Sequence, residues 1–90
     1  MGLSTAFHEE VEFGAGGVKS ENFSDYRLLT MSEAPEIHVD ILDSTEPIGG
    51  IGEPGLPPTA PAVANALFAV SGVRMRKLPM TPERVKQAFA

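Results

Sequence analysis

The chain contains no cysteine. Within its 90 residues that excludes disulfides, thiolate zinc sites, cysteine-ligated iron–sulfur clusters and cysteine nucleophiles. Basic residues are scarce as well: 7 Lys and Arg stand against 12 Asp and Glu, a formal charge of -5. A general nucleic-acid binder neutralises phosphates with a basic face, so nucleic acid is not an expected partner. Long apolar runs are missing. The longest uncharged stretch with helical character, Ala62 to Val70, is about half the ~20 residues a membrane span requires. No Lys or Arg precedes Lys19, so the basic region of a signal peptide is not seen, and the compartment stays open between cytoplasm and periplasm.

What the sequence does have is backbone punctuation. It carries 9 Gly and 8 Pro, and more than half of them crowd between Pro47 and Pro61. This divides the chain into three parts: a strand-rich part over 1–46, a Gly/Pro loop over 47–61, and a helix, link and terminal helix over 62–90. In the first part, Phe7, Glu9, Val11 and Phe13 alternate with His8, Glu10 and Glu12, so the period of two predicts a half-buried strand from Ala6 to Phe13. Gly14-Ala15-Gly16-Gly17 supplies a hairpin turn, and Val18 to Phe23 the returning strand. Ile37, Val39 and Ile41 alternate with His38, Asp40 and Leu42, which predicts a further strand.

In the last part, Thr59 is read as the cap of a helix with Pro61 in its first turn, and Gly72 as its stop. Ala62 to Ser71 is apolar nearly all round, with Asn65 its polar interior residue, so burial is expected for this helix. Val73 to Leu78 reads as a short strand or extended link. Thr81-Pro82-Glu83 opens a terminal helix whose packing face holds Val85 and Phe89. The expected class is α+β: an antiparallel hairpin, further short strands, one buried helix after the Gly/Pro loop, and a short terminal helix.

The loop holds the candidate chemistry. A single acid, Glu53, is embedded among Gly49, Gly50, Gly52 and Gly55, with Pro54 behind it and Pro57-Pro58 beyond. Glycine allows close approach of backbone to a ligand, and proline drives the residue before it into extended geometry. On composition alone Glu53 reads as a solvated acid in a surface turn. The density of constraints around it favours a positioned general base facing a bulky cofactor. Gly50-x-Gly52-x-x-Gly55 matches the dinucleotide fingerprint in form, but Pro54, Pro57 and Pro58 prevent a helix from opening at the turn, so a nicotinamide site is rejected. His8, Glu10 and Glu12 read as a solvated outer face rather than metal ligands, and His38 as a surface residue. Arg74, Arg76 and Lys77 are a cluster of cations with a solvated face as the default and a phosphate or subunit contact as the alternative.

Three stretches together resemble one family. Met31-Ser32-Glu33-Ala34-Pro35-Glu36-Ile37, the run Gly49-Gly50-Ile51-Gly52-Glu53-Pro54-Gly55-Leu56-Pro57-Pro58-Thr59-Ala60-Pro61-Ala62-Val63-Ala64-Asn65-Ala66, and Leu78-Pro79-Met80-Thr81-Pro82-Glu83-Arg84-Val85 look like the C-terminal part of molybdenum hydroxylase large subunits. The branch is the isoquinoline 1-oxidoreductase β-subunit type, within the xanthine dehydrogenase and aldehyde oxidase family.

The resemblance implies a subdomain of a larger molybdopterin-binding fold, with Glu53 as the general base and Gly50 and Gly52 as backbone beside the cofactor. It implies hydroxylation of an N-heterocycle or an aldehyde with water as the oxygen source. It further implies a molybdopterin cofactor in its cytosine dinucleotide form, the upstream remainder of the subunit, and a two-iron iron–sulfur partner subunit. By itself the chain is expected to be inactive and to hold no cofactor. The alternative is a stand-alone remnant acting as a small, non-catalytic interaction module.

Overall fold

The computed structural model describes residues 1–90. Helix α1 spans Gly2–Phe7, strands β1 and β2 span Phe13–Gly14 and Gly17–Val18, one 3-10 turn covers Met31–Glu33, α2 spans Thr59–Ser71 and α3 spans Pro82–Phe89. The strands form one antiparallel pair with Phe13 opposite Val18 and Gly14 opposite Gly17. Gly16 takes the left-handed φ of 92° that the turn between them requires.

Six residues are too few for a helix to persist on its own. Tertiary bonds fix α1 instead: the Leu29 N–H donates to Ser4 Oγ at 2.9 Å, and the Met80 N–H donates to the Ala6 carbonyl at 2.7 Å. Ser4, Ala6 and Met80 are buried, and with Pro79 they are the four buried residues of the 90. The α1–α2 approach is so close that a Cβ on Gly2 would lie 2.5 Å from Thr59 Oγ1 and 2.8 Å from Thr59 Cβ.

Helix α3 joins this packed end through its own start. Thr81 Oγ1 accepts from the Arg84 N–H at 3.3 Å, and Pro82 occupies the first position, where its missing N–H is not needed. The Arg84 guanidinium grips both oxygens of Glu10, at 2.9 and 2.8 Å, and also donates to the Pro79 carbonyl at 3.1 Å. One nitrogen, Nη2, serves both Glu10 oxygens while Nη1 serves Pro79, so the guanidinium ties the residue at 10 to the start of α3 with a part-exposed ion pair of modest strength.

Several sequence expectations require correction. The strand read from Ala6 to Phe13 is absent. Ala6 and Phe7 close α1, whose Leu3, Ala6 and Phe7 recur at helical spacing, and only Phe13 enters a ladder. The return strand expected over Val18–Phe23 is limited to Gly17–Val18, because beyond Ser20 the backbone turns on side chains: the Ser24 N–H donates to Asn22 Oδ1 at 2.8 Å. The residues around Ile37, Val39 and Ile41 pair with no other strand, and no backbone–backbone hydrogen bond joins any residue from 35 to 52. Strand structure within 1–46 is thus confined to the one hairpin.

Helix α2 is correctly stopped by Gly72, whose φ is 72° and whose N–H bonds the Phe68 carbonyl at 2.8 Å. It begins earlier than the sequence suggests. Thr59 is its first residue rather than its cap, and Thr59 Oγ1 donates to the Gly55 carbonyl at 2.7 Å. None of its residues is buried. Val63, Ala64, Leu67 and Phe68 are half-covered, while Ala62, Asn65, Ala66 and Val70 face outward. The chain offers no second layer to cover that outer face, so the apolar pattern of α2 is not used up by the residues present.

Candidate functional site

The site is built from a loop with no regular structure of its own. The Leu56 N–H donates to the Glu53 carbonyl at 2.9 Å, closing a turn over Glu53-Pro54-Gly55-Leu56. The Thr59 N–H donates to the Leu56 carbonyl at 3.3 Å, and Thr59 Oγ1 ties the loop to the first turn of α2 through Gly55. The loop is therefore anchored at its α2 side and open on the other. Proline at 54, 57 and 58 removes three donors and limits φ at each, so the segment is stiff although it carries no ladder.

The three residues singled out by the sequence, Gly50, Gly52 and Glu53, meet at one place. With Pro54 and Pro57 they line an open concavity of about 590 Å³. Glu53 is exposed within this chain, and its carboxylate has no hydrogen-bond or ion-pair partner here. Whatever would bury that carboxylate has to come from outside these 90 residues.

The loop glycines are unexplained by anything inside the chain. Gly49, Gly50, Gly52 and Gly55 all have negative φ, and a Cβ on any of them would meet nothing within 4 Å. Neither backbone conformation nor local crowding calls for glycine there. Gly2 is the opposite case, since Thr59 leaves no room for a side chain.

The other candidates are dispersed. His8 Nε2 lies 3.3 Å from Glu33 Oε1, Glu10 is held by Arg84, and Glu12 pairs with Lys19 at 3.0 Å, so the three do not share a face. No group of three or more His, Asp or Glu residues is placed to hold a metal ion. His38 sits 3.1 Å from Glu36 on the exposed segment. Arg74 lines one shallow concavity with Arg76, Lys77 and Arg84, while its guanidinium stacks 3.5 Å over the Phe68 ring and donates to Asn65 Oδ1 at 3.0 Å, which gives Asn65 a role as a surface acceptor.

Sequence reasoning missed the polar knot beside α1. Glu33 accepts from the Thr30 N–H and Oγ1, at 2.9 and 2.8 Å, and from Arg27 at 2.9 Å. The Thr30 backbone and hydroxyl hydrogen bonds, helped by the charges of Arg27 and His8, hold the Glu33 carboxyl down at about 2. Threonine followed by glutamate three residues later is a capping signal that could have found it. A second missed pair is Tyr26 with Glu9, at 3.0 Å. The hydrogen bond to the Glu9 carboxylate pushes the Tyr26 phenol above its usual range.

No protein-family model matches the chain. Among characterised proteins it is similar to the isoquinoline 1-oxidoreductase subunit beta of Brevundimonas diminuta, 40% identical over 82 residues that make up 91% of this chain and 10% of that protein. It is similar to a membrane-bound aldehyde dehydrogenase of Gluconacetobacter polyoxogenes named for pyrroloquinoline quinone, 38% identical over 84 residues, 93% of this chain and 11% of that protein. It is also similar to the xanthine dehydrogenase molybdenum-binding subunit of Escherichia coli O157:H7, 32% identical over 96 aligned residues, 99% of this chain and 13% of that subunit. The chain thus spans little more than a tenth of the length of the relatives it matches.

Proposed function

Because the chain belongs to the xanthine dehydrogenase and aldehyde oxidase family of molybdenum-binding subunits, we propose that it is the C-terminal segment of such a subunit and supplies its general base, Glu53. The observation that carries this reading is the loop itself. Four glycines with no reason in their own chain surround one unpartnered carboxylate on the rim of an open concavity. Glycines of that kind are accounted for when a ligand or another backbone comes within contact of them.

The residues fit such a group. Gly50 and Gly52 present bare backbone at the wall of the concavity, so a bulky organic cofactor in its cytosine dinucleotide form meets no side chain there. When bound, the molybdenum cofactor supplies the two-electron oxidation and lowers the pKa of the water that provides oxygen. Glu53 would serve as the base toward that oxygen nucleophile, its carboxylate taking the proton, with an N-heterocycle or an aldehyde as the substrate. General-base catalysis of this kind contributes about 10² to 10⁴-fold. Pro54 limits where the Glu53 backbone can go, and the Thr59–Gly55 bond braces the loop against α2, so little reorganisation is needed at the moment of transfer. The upstream remainder of the subunit completes the cofactor envelope, and a two-iron iron–sulfur subunit accepts the electrons. Alone, the 90 residues are catalytically silent.

The test is Glu53→Gln in the complete subunit assembled with its partner. Molybdenum is quantified by elemental analysis, and turnover is followed with a dye acceptor on N-heterocycles and aldehydes. The expected result is full metal with turnover reduced by roughly 10² to 10⁴-fold. Near-normal turnover in a metal-replete variant removes Glu53 from the mechanism. The name of the Gluconacetobacter relative favours a second reading, in which the cofactor is a quinone. An active wild-type complex that contains pyrroloquinoline quinone and no molybdenum would establish it.

A further inference from the structure

The segment around Ile37 is extended, unpaired and apolar on one face. Ile37, Val39 and Ile41 are 71%, 74% and 90% exposed, and no backbone–backbone hydrogen bond is made between residues 35 and 52. Glu36 and His38, two residues apart, touch at 3.1 Å, the relation that side chains on the same face of an extended strand have. One face thus carries Ile37, Val39 and Ile41, the other Glu36, His38 and Asp40 with Leu42 at its end. Exposed backbone donors and acceptors beside a β-branched apolar row make a strand without a sheet, and such edges are normally covered or paired.

We propose that residues 36–42 form a strand that adds to a sheet edge in the part of the subunit outside these 90 residues. The facing edge would present Lys or Arg opposite Glu36 and Asp40. The inference rests on the reading above that this chain is a segment of a larger subunit. The matched relatives are about ten times longer than the aligned region, so there is ample chain to supply the edge. Charge selects its chemistry: from Glu36 to Glu46 the segment holds Glu36, Asp40, Asp43 and Glu46 and no Lys or Arg. Charge also argues against a second copy of the same segment as the partner, since self-pairing crowds these carboxylates together, and like charges opposite one another destabilise a ladder. Within the chain the nearest candidate in charge is the extended run Val73–Arg76, but its Arg74 is already committed to Phe68 and Asn65. Strand addition gives the segment a mechanical consequence as well. Four residues separate its far end from the Gly/Pro loop, so pairing at 36–42 would tether the side of the loop that Thr59 does not reach.

Amide hydrogen exchange tests this in the 90-residue chain and in the complete subunit. In the isolated chain, the amides of 37–42 should exchange at close to unstructured rates at every protein concentration. In the complete subunit they should slow by roughly a hundredfold or more. Val39→Pro, which removes one ladder donor and fixes φ, should release the protection of its neighbours, whereas Val39→Thr should keep it. If Val39→Pro does not accumulate as soluble protein, the comparison of wild type with Val39→Thr still reads the ladder. Free exchange of 37–42 in the complete wild-type subunit overturns the proposal, and so does protection in the isolated chain that rises with concentration, which means pairing between copies. A subunit that loses turnover through Glu53→Gln while 37–42 exchange freely refutes the added strand and leaves the general base standing. Protected 37–42 with a fully active Glu53→Gln variant does the reverse.

Discussion

Two regions of this molecule use glycine for opposite reasons. At the packed end, Gly2 lies against Thr59 so tightly that a methyl group would overlap it. In the open arm, Gly49, Gly50, Gly52 and Gly55 have room on every side and ordinary φ. The same contrast runs through the other residues. The packed end sets α1 against α2 at Gly2 and Thr59, ties α1 to Leu29 through Ser4 and to the approach of α3 through the Met80–Ala6 bond, and adds the Arg84–Glu10 pair. The arm from Ala34 to Pro58 leaves Ile37, Ile41, Ile48 and Ile51 exposed and makes almost no internal bonds. A position whose residue type is explained by its own chain reports on folding. A position left unexplained reports on something the chain meets.

This contrast can be broken by measurement. The largest effect expected in the isolated chain is from Met80→Ala, because Met80 is 2% exposed at the centre of the small core. Truncating such a residue costs about 2 to 5 kcal/mol, enough to unfold a chain this short, and loss of the helical circular dichroism signal at room temperature checks it. Gly2→Ala comes next, at roughly 1 to 3 kcal/mol, since Thr59 or the α1–α2 spacing has to give way. Urea titration against wild type measures it, and an unchanged midpoint would show that the two helices are not truly in contact.

An acid effect should be smaller and local. The Glu33 carboxyl sits at about 2 against an ordinary 4.5, held down first by the Thr30 backbone hydrogen bond. Its contribution is therefore present above pH 4.5 and disappears as pH falls towards 2. Amide resonances of Thr30 and Glu33 in the folded chain should stay put down to about pH 3 and then move with a midpoint near 2, and Glu33→Gln should abolish the movement. The smallest effect is the most informative. Gly50→Ala and Gly52→Ala should change the stability of the isolated chain by less than about 0.5 kcal/mol. In the complete subunit the same substitutions should lower molybdenum occupancy. A large loss of stability in the isolated chain would mean that these glycines serve the local fold, and the difference from Gly2 would vanish.

How much of this was legible beforehand follows from the range over which each signal acts. The α2 stop at Gly72 and the Thr81-Pro82 start of α3 depend on bonds within one turn, and the residues carry them in full. The grouping of Gly50, Gly52 and Glu53 is also local, because four consecutive loop residues cannot lie far apart. The alternation from Phe7 to Phe13 misled for the converse reason. Period two suits a strand only if a partner strand exists, and at Ala6 the Met80 amide decides in favour of a helix. Nothing in residues 2–13 announces a partner 74 residues away.

Sequence alone determined the family, the stiff Gly/Pro loop and the identity of its one acid, since these rest on residue type and near-neighbour geometry. Only the tertiary structure decided that α1 is a helix, that Arg84 closes on Glu10, and that the outer face of α2 and the extended segment at 36–42 stay uncovered. Those outcomes turn on which groups from distant parts of the chain reach one another, and on the surface that no group within the 90 residues can reach.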